Sequence, residues 1–169
     1  VREIQPRYTP SHLKSIFDVL ADTEPAGKTE IVETIHNLAE KARQRALVVV
    51  FSDFFTDVPA LLDCFQHMRF KNHDLAIFHM LDRTEIDFEF DRPIRFVDIE
   101  GSFAMVTDPA VVRAGYQQEL TRYLDAMKHG CEEFNVDYQR VFTDANYETV
   151  LAAFLLQRMR RSSASGHRP

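Results

Sequence analysis

An apolar run that begins at Ala46 and ends in Ser52 and Asp53 constrains the fold of this chain most strongly. Its length and its consecutive valines favour a β-strand buried on both faces, as in a parallel sheet. Asp57 and Pro59 follow and indicate the start of a helix. Because open α/β sheets bind ligands at the carboxyl edge, where strands lead into helices, Asp53 is the leading candidate for a functional residue.

The composition fits one domain with a substantial core. The chain has 169 residues, of which 45% are hydrophobic and 27% are charged, as in an ordinary globular domain. The net charge of −6 argues against a general nucleic-acid-binding protein, which would present a basic face. Cys64 and Cys131 have no CxxC spacing, so we expect buried, reduced thiols rather than a disulfide or a zinc site.

The sequence also predicts where the folded domain begins and ends and whether it includes a targeting or membrane segment. The chain begins at Val1 rather than Met, and residues 1–6 resemble the tail of a strand, so we expect a piece of a longer protein. No apolar run reaches the ~20 residues that span a bilayer, and no signal peptide is present. We therefore expect no membrane segment, a cytoplasmic location, a domain over residues 1–160 and a disordered tail over residues 161–169.

Helical spacing of apolar residues predicts five helices. They cover about residues 11–20, 29–43, 57–71, 109–129 and 146–160. Asp108 and Pro109 mark the start of the fourth helix, and Gly130 marks its end. The apolar runs Leu75–Leu81 and Val136–Phe142 predict two further strands, and the helix after Asp57 joins the first two strands in a parallel, right-handed unit.

A different pattern between these strands predicts an antiparallel hairpin, broken at Asp91-Arg92-Pro93. Its apolar residues are Phe88 and Phe90 before the break and Ile94, Phe96, Val97 and Ile99 after it, with a short strand at about 103–106 to follow. The region is acidic: Asp82, Glu85, Asp87, Glu89, Asp91, Asp98 and Glu100. Such a run usually forms a solvated face. Because these acids alternate with aromatic residues, a protein-docking surface is the alternative interpretation.

Three strand-end acids, Asp53, Asp82 and Asp144, would lie along one edge of the predicted sheet, with Ser52 beside the first. Converging carboxylates and hydroxyls suit a hard cation such as Mg²⁺. Acids before helices are also common caps. We favour a helix cap for Asp144, an ordinary strand-end acid for Asp82 and a functional role for Asp53.

The common enzyme motifs are missing from the sequence, which has no GxGxxG, P-loop, GxSxG or HExxH. His67, His73 and His79 are interpreted as solvated or singly packed side chains rather than metal ligands. These absences disfavour the enzyme classes that such motifs mark. The alternative is a Mg²⁺-dependent phosphoryl-transfer enzyme or phospho-acceptor that uses Asp53, which would need neighbouring acids and a cationic group.

Two stretches carry a resemblance to known families. Gly27-Lys28-Thr29-Glu30, followed by the strand that ends in Ser52 and Asp53, resembles the second and third parts of the metal-ion-dependent adhesion site of von Willebrand factor A-type domains. Residues 46–158 resemble, in order and spacing, the carboxyl-terminal half of the domain of unknown function 58 family. The matching pieces include Val50–Phe54, His73–Asp82, Asp98–Glu100, Val136–Tyr138 and Thr143-Asp144.

This resemblance implies a von Willebrand A-like, Rossmann-like α/β fold. Its mostly parallel sheet would carry helices on both faces and a β-hairpin insertion. A metal would be held by Thr29 directly and by Asp53 directly or through water, although Thr29 also fits a helix N-cap. Relatives of the family partner MoxR-type AAA+ ATPases in assembling or activating other proteins. The implied function is a non-enzymatic interaction module whose partner is such an ATPase or its client.

One departure from the family pattern has consequences for the fold. No DxSxS motif precedes Thr29, so the central first strand is missing and the adhesion site would be incomplete, with weak Mg²⁺ binding. That strand would lie beside Ala46–Ser52, so its absence leaves a hydrophobic edge unpaired. We expect a homodimer or a domain swap through this edge. Some members of the family are membrane-tethered, which leaves the location of the parent protein open.

Overall fold

The computed structural model describes residues 4–5, 7–24, 30–97 and 104–165. Along the chain, its elements are α1 (Pro10–Ala21), α2 (Ile31–Lys41), β1 (Leu47–Ser52), α3 (Val58–Phe70), β2 (Asp74–Leu81), α4 (Arg83–Asp87), β3 (Ile94–Val97), β4 (Ala104–Thr107), α5 (Pro109–Glu133), β5 (Asp137–Phe142) and α6 (Tyr147–Ser165). None of the helices in these ranges combines the length and the apolarity needed to cross a membrane.

The main sheet is parallel, with its strands in the spatial order β1-β2-β5. Side chains of α2, α3 and α5 cover one face around Phe65, Ile77 and Met127. On the other face, Phe154 of α6 packs against Ala76 and Phe78 of the central strand. The predicted α/β architecture with a mostly parallel sheet is therefore confirmed.

Strand β1 lies at an edge of the sheet, and the prediction that it is buried on both faces is wrong. Val48 faces the core, whereas Leu47, Val49 and Phe51 are 45%, 42% and 61% exposed. The strand buried on both faces is β2, because it lies between β1 and β5. An apolar run predicts a strand, but its place in the sheet depends on which strands pair with it.

The predicted hairpin has a different pair of strands. β3 pairs antiparallel with β4, with Phe96 opposite Met105, and residues 98–103, which include the predicted Ile99, lie outside the described residues. The residues around Phe88 form no strand, because Asp82 and Glu85 cap the short helix α4 instead. Local alternation of apolar residues did not reveal this cap.

The prediction that Gly130 ends the fourth predicted helix is also wrong, because α5 continues to Glu133. Gly130 is buried inside this helix, where a Cβ would overlap Cδ1 and Cδ2 of Leu62 and lie 2.9 Å from its Cγ. The glycine therefore allows α3 and α5 to approach closely. Cys131, next to it, is buried, as is Cys64, which confirms the predicted burial of both.

Alanine at the two glycines of α5 should have opposite effects on stability. At Gly115 a Cβ meets no atom within 4 Å, so Gly115→Ala should raise the free energy of unfolding by about 0.5–1 kcal/mol through helix propensity. Gly130→Ala should lower it by about 1 kcal/mol, because overpacking against Leu62 exceeds that gain. Urea unfolding of both variants measures the difference.

The control for this pair is Gly130→Ala in a Leu62→Ala background, where the obstructing side chain is absent. There the added methyl should cost much less than in the wild type. Equal stabilisation by both alanines in the wild type would contradict the close approach of the helices.

Candidate functional site

The turn after β1 is held by its own polar side chains. The backbone N–H of Phe54 donates to Ser52 Oγ at 3.0 Å, and that of Phe55 donates to Asp53 Oδ1 at 3.3 Å. Phe54 is fully buried and has a φ of 51°, a left-handed conformation that is uncommon for a residue with a side chain. Ser52 and Asp53 therefore stabilise a strained turn that directs the Asp53 carboxylate to the surface.

Asp53 is exposed, and it forms no ion pair with any residue in the described part of the chain. The phosphoryl-transfer alternative needs a cationic group close to this carboxylate and gains no support here. Thr29, the other predicted metal ligand, lies outside the described residues. The expected closeness of Thr29 and Asp53 therefore stays a prediction.

Asp82 is the N-cap of α4. Its Oδ1 accepts a hydrogen bond from the Thr84 N–H at 2.8 Å, and the Glu85 carboxylate accepts one from the Asp82 N–H at 3.1 Å. The hydroxyl of Thr143 donates to Asp82 Oδ2 at 3.0 Å. Hydrogen bonds from the Thr84 hydroxyl, the Thr84 N–H and the Thr143 hydroxyl lower the pKa of Asp82. This acid therefore stays ionised and connects the ends of β2 and β5.

Asp144 forms an ion pair with Arg83, whose Nε lies 2.6 Å from Asp144 Oδ2. The interpretation of Asp144 as a helix cap is wrong, since α6 begins at Tyr147 and Asn146 Oδ1 accepts from the Thr149 N–H at 3.0 Å. The cap lies two residues further along, which the string of polar residues after β5 could not reveal.

Asp82 is thus engaged in hydrogen bonds and Asp144 in an ion pair. Among the described residues, no cluster of three or more His, Cys, Asp or Glu side chains is placed to hold a metal. Mg²⁺ needs several oxygen ligands in near-octahedral geometry. Of the predicted site residues in these ranges, Asp53 fits such a ligand best, with the Ser52 hydroxyl beside it.

A buried layer of polar and aromatic side chains packs against the turn that follows β1. The sequence analysis did not predict this layer. His79 is fully buried, and its Nδ1 lies 2.8 Å from the hydroxyl of Tyr138. The hydroxyl of Tyr123 donates to the Phe54 carbonyl at 2.7 Å, and the Phe54 ring packs edge-on against His79 at 5.5 Å. The available signal was the position of His79, two residues after Ile77 on the core face of β2.

Burial sets the ionisation of this layer. It lowers the pKa of His79, against a smaller upward effect from the Asp53 backbone and from the Asp53 charge. Burial likewise raises the pKa of Tyr123 to about 12 and the pKa of Tyr138 still further. His79 and the two tyrosines are therefore neutral near pH 7, and their role is to position the turn.

Comparison with known proteins identifies a family. The model described as "Protein of unknown function DUF58" matches residues 2–124, which is more than half of the chain. This stretch contains β1, β2, the hairpin and most of α5, whereas β5 and α6 follow it. No curated protein and no solved structure matches the sequence. The chain therefore belongs to the DUF58 family, as the resemblance of its strand-end segments predicts.

Proposed function

We propose that this chain is a non-enzymatic protein-interaction module of von Willebrand A type whose partner is a MoxR-type AAA+ ATPase or a client of that ATPase. The partner class and the von Willebrand A type follow from the resemblance described above. The observation that carries the interaction role is the apolar outer edge of β1, with which no strand of the described residues pairs.

Two features of this edge favour a docked chain. In the described residues, no strand pairs with the outer side of β1, so its backbone groups are available for strand addition. Leu47, Val49 and Phe51 are exposed on one face of the strand, and the Phe51 ring stacks on Phe78 at 4.6 Å. Parallel sheets are normally covered on both faces, so the part of this face that β1 leaves exposed favours an additional chain.

Helix α6, which packs on the same face of the sheet, also carries exposed apolar side chains. Leu151 and Leu155 are 41% and 58% exposed and stand one turn apart, on either side of the buried Phe154. Exposed apolar side chains on two elements of one face are typical of interaction sites when they form a common surface. We infer that a partner segment paired with β1 would cover side chains of both elements.

Asp53 stands at the carboxyl end of the same strand, so a cation bound there would lie beside the docked segment. We infer weak Mg²⁺ binding that involves Asp53 and Thr29, because few protein ligands compete poorly with the hydration shell of the ion. The contact would then be metal-assisted rather than metal-dependent.

Binding to a purified MoxR-type ATPase, measured by calorimetry, tests the proposal. Phe51→Lys should weaken binding at least tenfold, because it places a charge in the apolar edge, while changing the free energy of unfolding little at this exposed position. The matched control is Phe70→Lys, which replaces a phenylalanine that is 83% exposed at the end of α3. No binding by the wild type, or equal loss in both variants, would refute the role of the edge.

The same edge accounts for the expected homodimer. Sedimentation velocity should show a concentration-dependent dimer that Phe51→Lys dissociates and Phe70→Lys does not. A monomer at high concentration would exclude pairing between two copies and would leave the ATPase or its client as the occupant to be tested.

A further inference from the structure

A cavity of about 630 Å³ lies between α4, the β3–β4 hairpin and the first half of α5. Its volume is within the range of small-molecule sites, which are commonly 300–1,000 Å³. None of the lining residues belongs to the β1 edge or to the turn at Asp53. Aromatic and aliphatic side chains form most of the wall, and Thr84, Glu85 and Thr107 are its polar residues apart from the Tyr116 hydroxyl.

Four aromatic rings hold one another in place in this wall. Phe88 stacks on Tyr116 at 4.3 Å and lies parallel to Phe96 at 5.7 Å. Phe90 meets Phe88 and Phe96 edge-on, at 5.2 and 5.8 Å. Aromatic rings in such offset and edge-to-face pairs stabilise each other beyond simple burial, so the wall is organised before any ligand binds.

Helix α5 fixes the segment that carries these rings. Arg113 donates from Nε to the Phe88 carbonyl at 3.1 Å and from Nη2 to the Phe90 carbonyl at 3.4 Å. Gln117 Nε2 donates to the Asp87 carbonyl at 3.2 Å. The Arg113 guanidinium is thereby directed at the backbone behind the rings and does not line the cavity.

The charge of the cavity wall has one sign. Among the described residues that line it, Glu85 is the one ionisable carboxylate, and there is no Lys, Arg or His. The hydroxyls of Thr84 and Thr107 supply neutral polar atoms. Glu85 and Tyr116 line the same cavity, and burial, followed by the charge of Glu85, raises the pKa of Tyr116.

We propose that this cavity binds a small organic cation that carries an aromatic or branched apolar body. The apolar wall would not compensate the desolvation of a compact hydrated ion, and Glu85 disfavours anions. The Glu85 carboxylate attracts the charged group of such a ligand, and the aromatic and aliphatic wall packs against its apolar body. The site is independent of the protein partner proposed above.

Gly115 provides a way to close the cavity. It lines the wall, and a Cβ built there meets no atom within 4 Å. A leucine side chain at this position would therefore start in open space and extend into the volume that a ligand would fill. Ala114, the preceding residue, is exposed and does not line the cavity. Ala114→Leu is therefore the matched control on the same helix.

An NMR titration of the full chain with benzyltrimethylammonium and with phenylmethanesulfonate tests the proposal, because the two ions have similar shapes and opposite charges. The cation should bind at least fivefold more tightly. Gly115→Leu should weaken cation binding at least fivefold, and Ala114→Leu should leave it unchanged. Glu85→Gln retains a residue type suited to the capping box of α4 and should bring the two affinities within twofold.

The proposal is overturned if the cation does not bind, if the anion binds as tightly, or if Gly115→Leu binds the cation like the wild type. Phe51→Lys, which alters the β1 edge, should leave cation binding unchanged. Failure at the cavity and failure at the edge are therefore separate results.

Discussion

Replacing Arg158 with alanine should lower the free energy of unfolding by about 3 kcal/mol, because it removes one partner of a buried ion pair. Arg158 Nη1 lies 2.6 Å from Asp137 Oδ2, and Asp137 is 6% exposed at the start of β5. The guanidinium also lies over the Phe154 ring at 5.9 Å. The substitution therefore removes the positive charge beside the buried Asp137 carboxylate. It also removes the packing of the guanidinium against the Phe154 ring.

Asp74 should be affected less, although Arg158 Nη2 lies 3.9 Å from it. Burial alone would raise the pKa of Asp74, but hydrogen bonds and charges from Arg45 and Arg69 bring it below its usual value. These two arginines remain in the variant. The loss should therefore come mainly from Asp137.

Urea unfolding measures the effect of the Arg158 variant. The matched control is Arg122→Ala, which removes an arginine from an exposed pair with Glu119 on α5 and should change stability by less than about 0.5 kcal/mol. Arg158→Lys should lie between the wild type and the alanine variant, since lysine keeps the charge but lacks the planar fork. A loss under about 1 kcal/mol for Arg158→Ala would show that the pair contributes little.

The second large effect is acid destabilisation through His79. Burial holds the pKa of His79 below its usual value, so below pH ~6.5 the unfolded chain takes up a proton that the folded protein excludes. The contribution of neutral His79 to the free energy of unfolding is fully present above that pH. It falls by up to about 1.4 kcal/mol per pH unit as the pH drops toward the pKa of His79 in the folded protein. Asp74 and Asp82, whose pKa values are lowered, lose their contribution at lower pH.

Urea unfolding between pH 7.5 and 5.5, a window chosen to separate histidine from carboxylate titration, measures this slope. His79→Asn keeps a polar atom near Tyr138 and should flatten the slope, whatever its effect on stability at pH 7. His129→Asn alters an exposed histidine of α5 and should leave the slope unchanged. An unchanged slope in the His79 variant would assign the acid effect to other groups.

Local pattern predicted most elements of this protein. The apolar runs at Leu47–Ser52 and Asp74–Leu81 form strands, and Asp108-Pro109 starts a long helix. These features depend on neighbours within a few residues, so periodicity and capping signals suffice to find them. Gly130 shows the limit of such signals, since packing against Leu62 outweighs its tendency to end a helix.

The candidate site was predicted in part. Ser52 and Asp53 do end β1 at the carboxyl edge, as a strand-to-helix turn requires. The hydrogen bond between Asp82 and Thr143 and the ion pair between Asp144 and Arg83 could not be predicted from the sequence, because each joins residues 61 positions apart. A residue's capacity to bind a ligand depends on such distant partners.

By itself, the sequence determined the kind and order of most elements and the parallel βαβ unit, because each depends on local periodicity and turn chemistry. Only the tertiary structure decided that β2 separates β1 from β5, that His79 meets Tyr138, and that Phe88 stacks on Tyr116 beside a cavity. These contacts join residues far apart in the chain. They are selected by the packing of the whole fold, which no local pattern encodes.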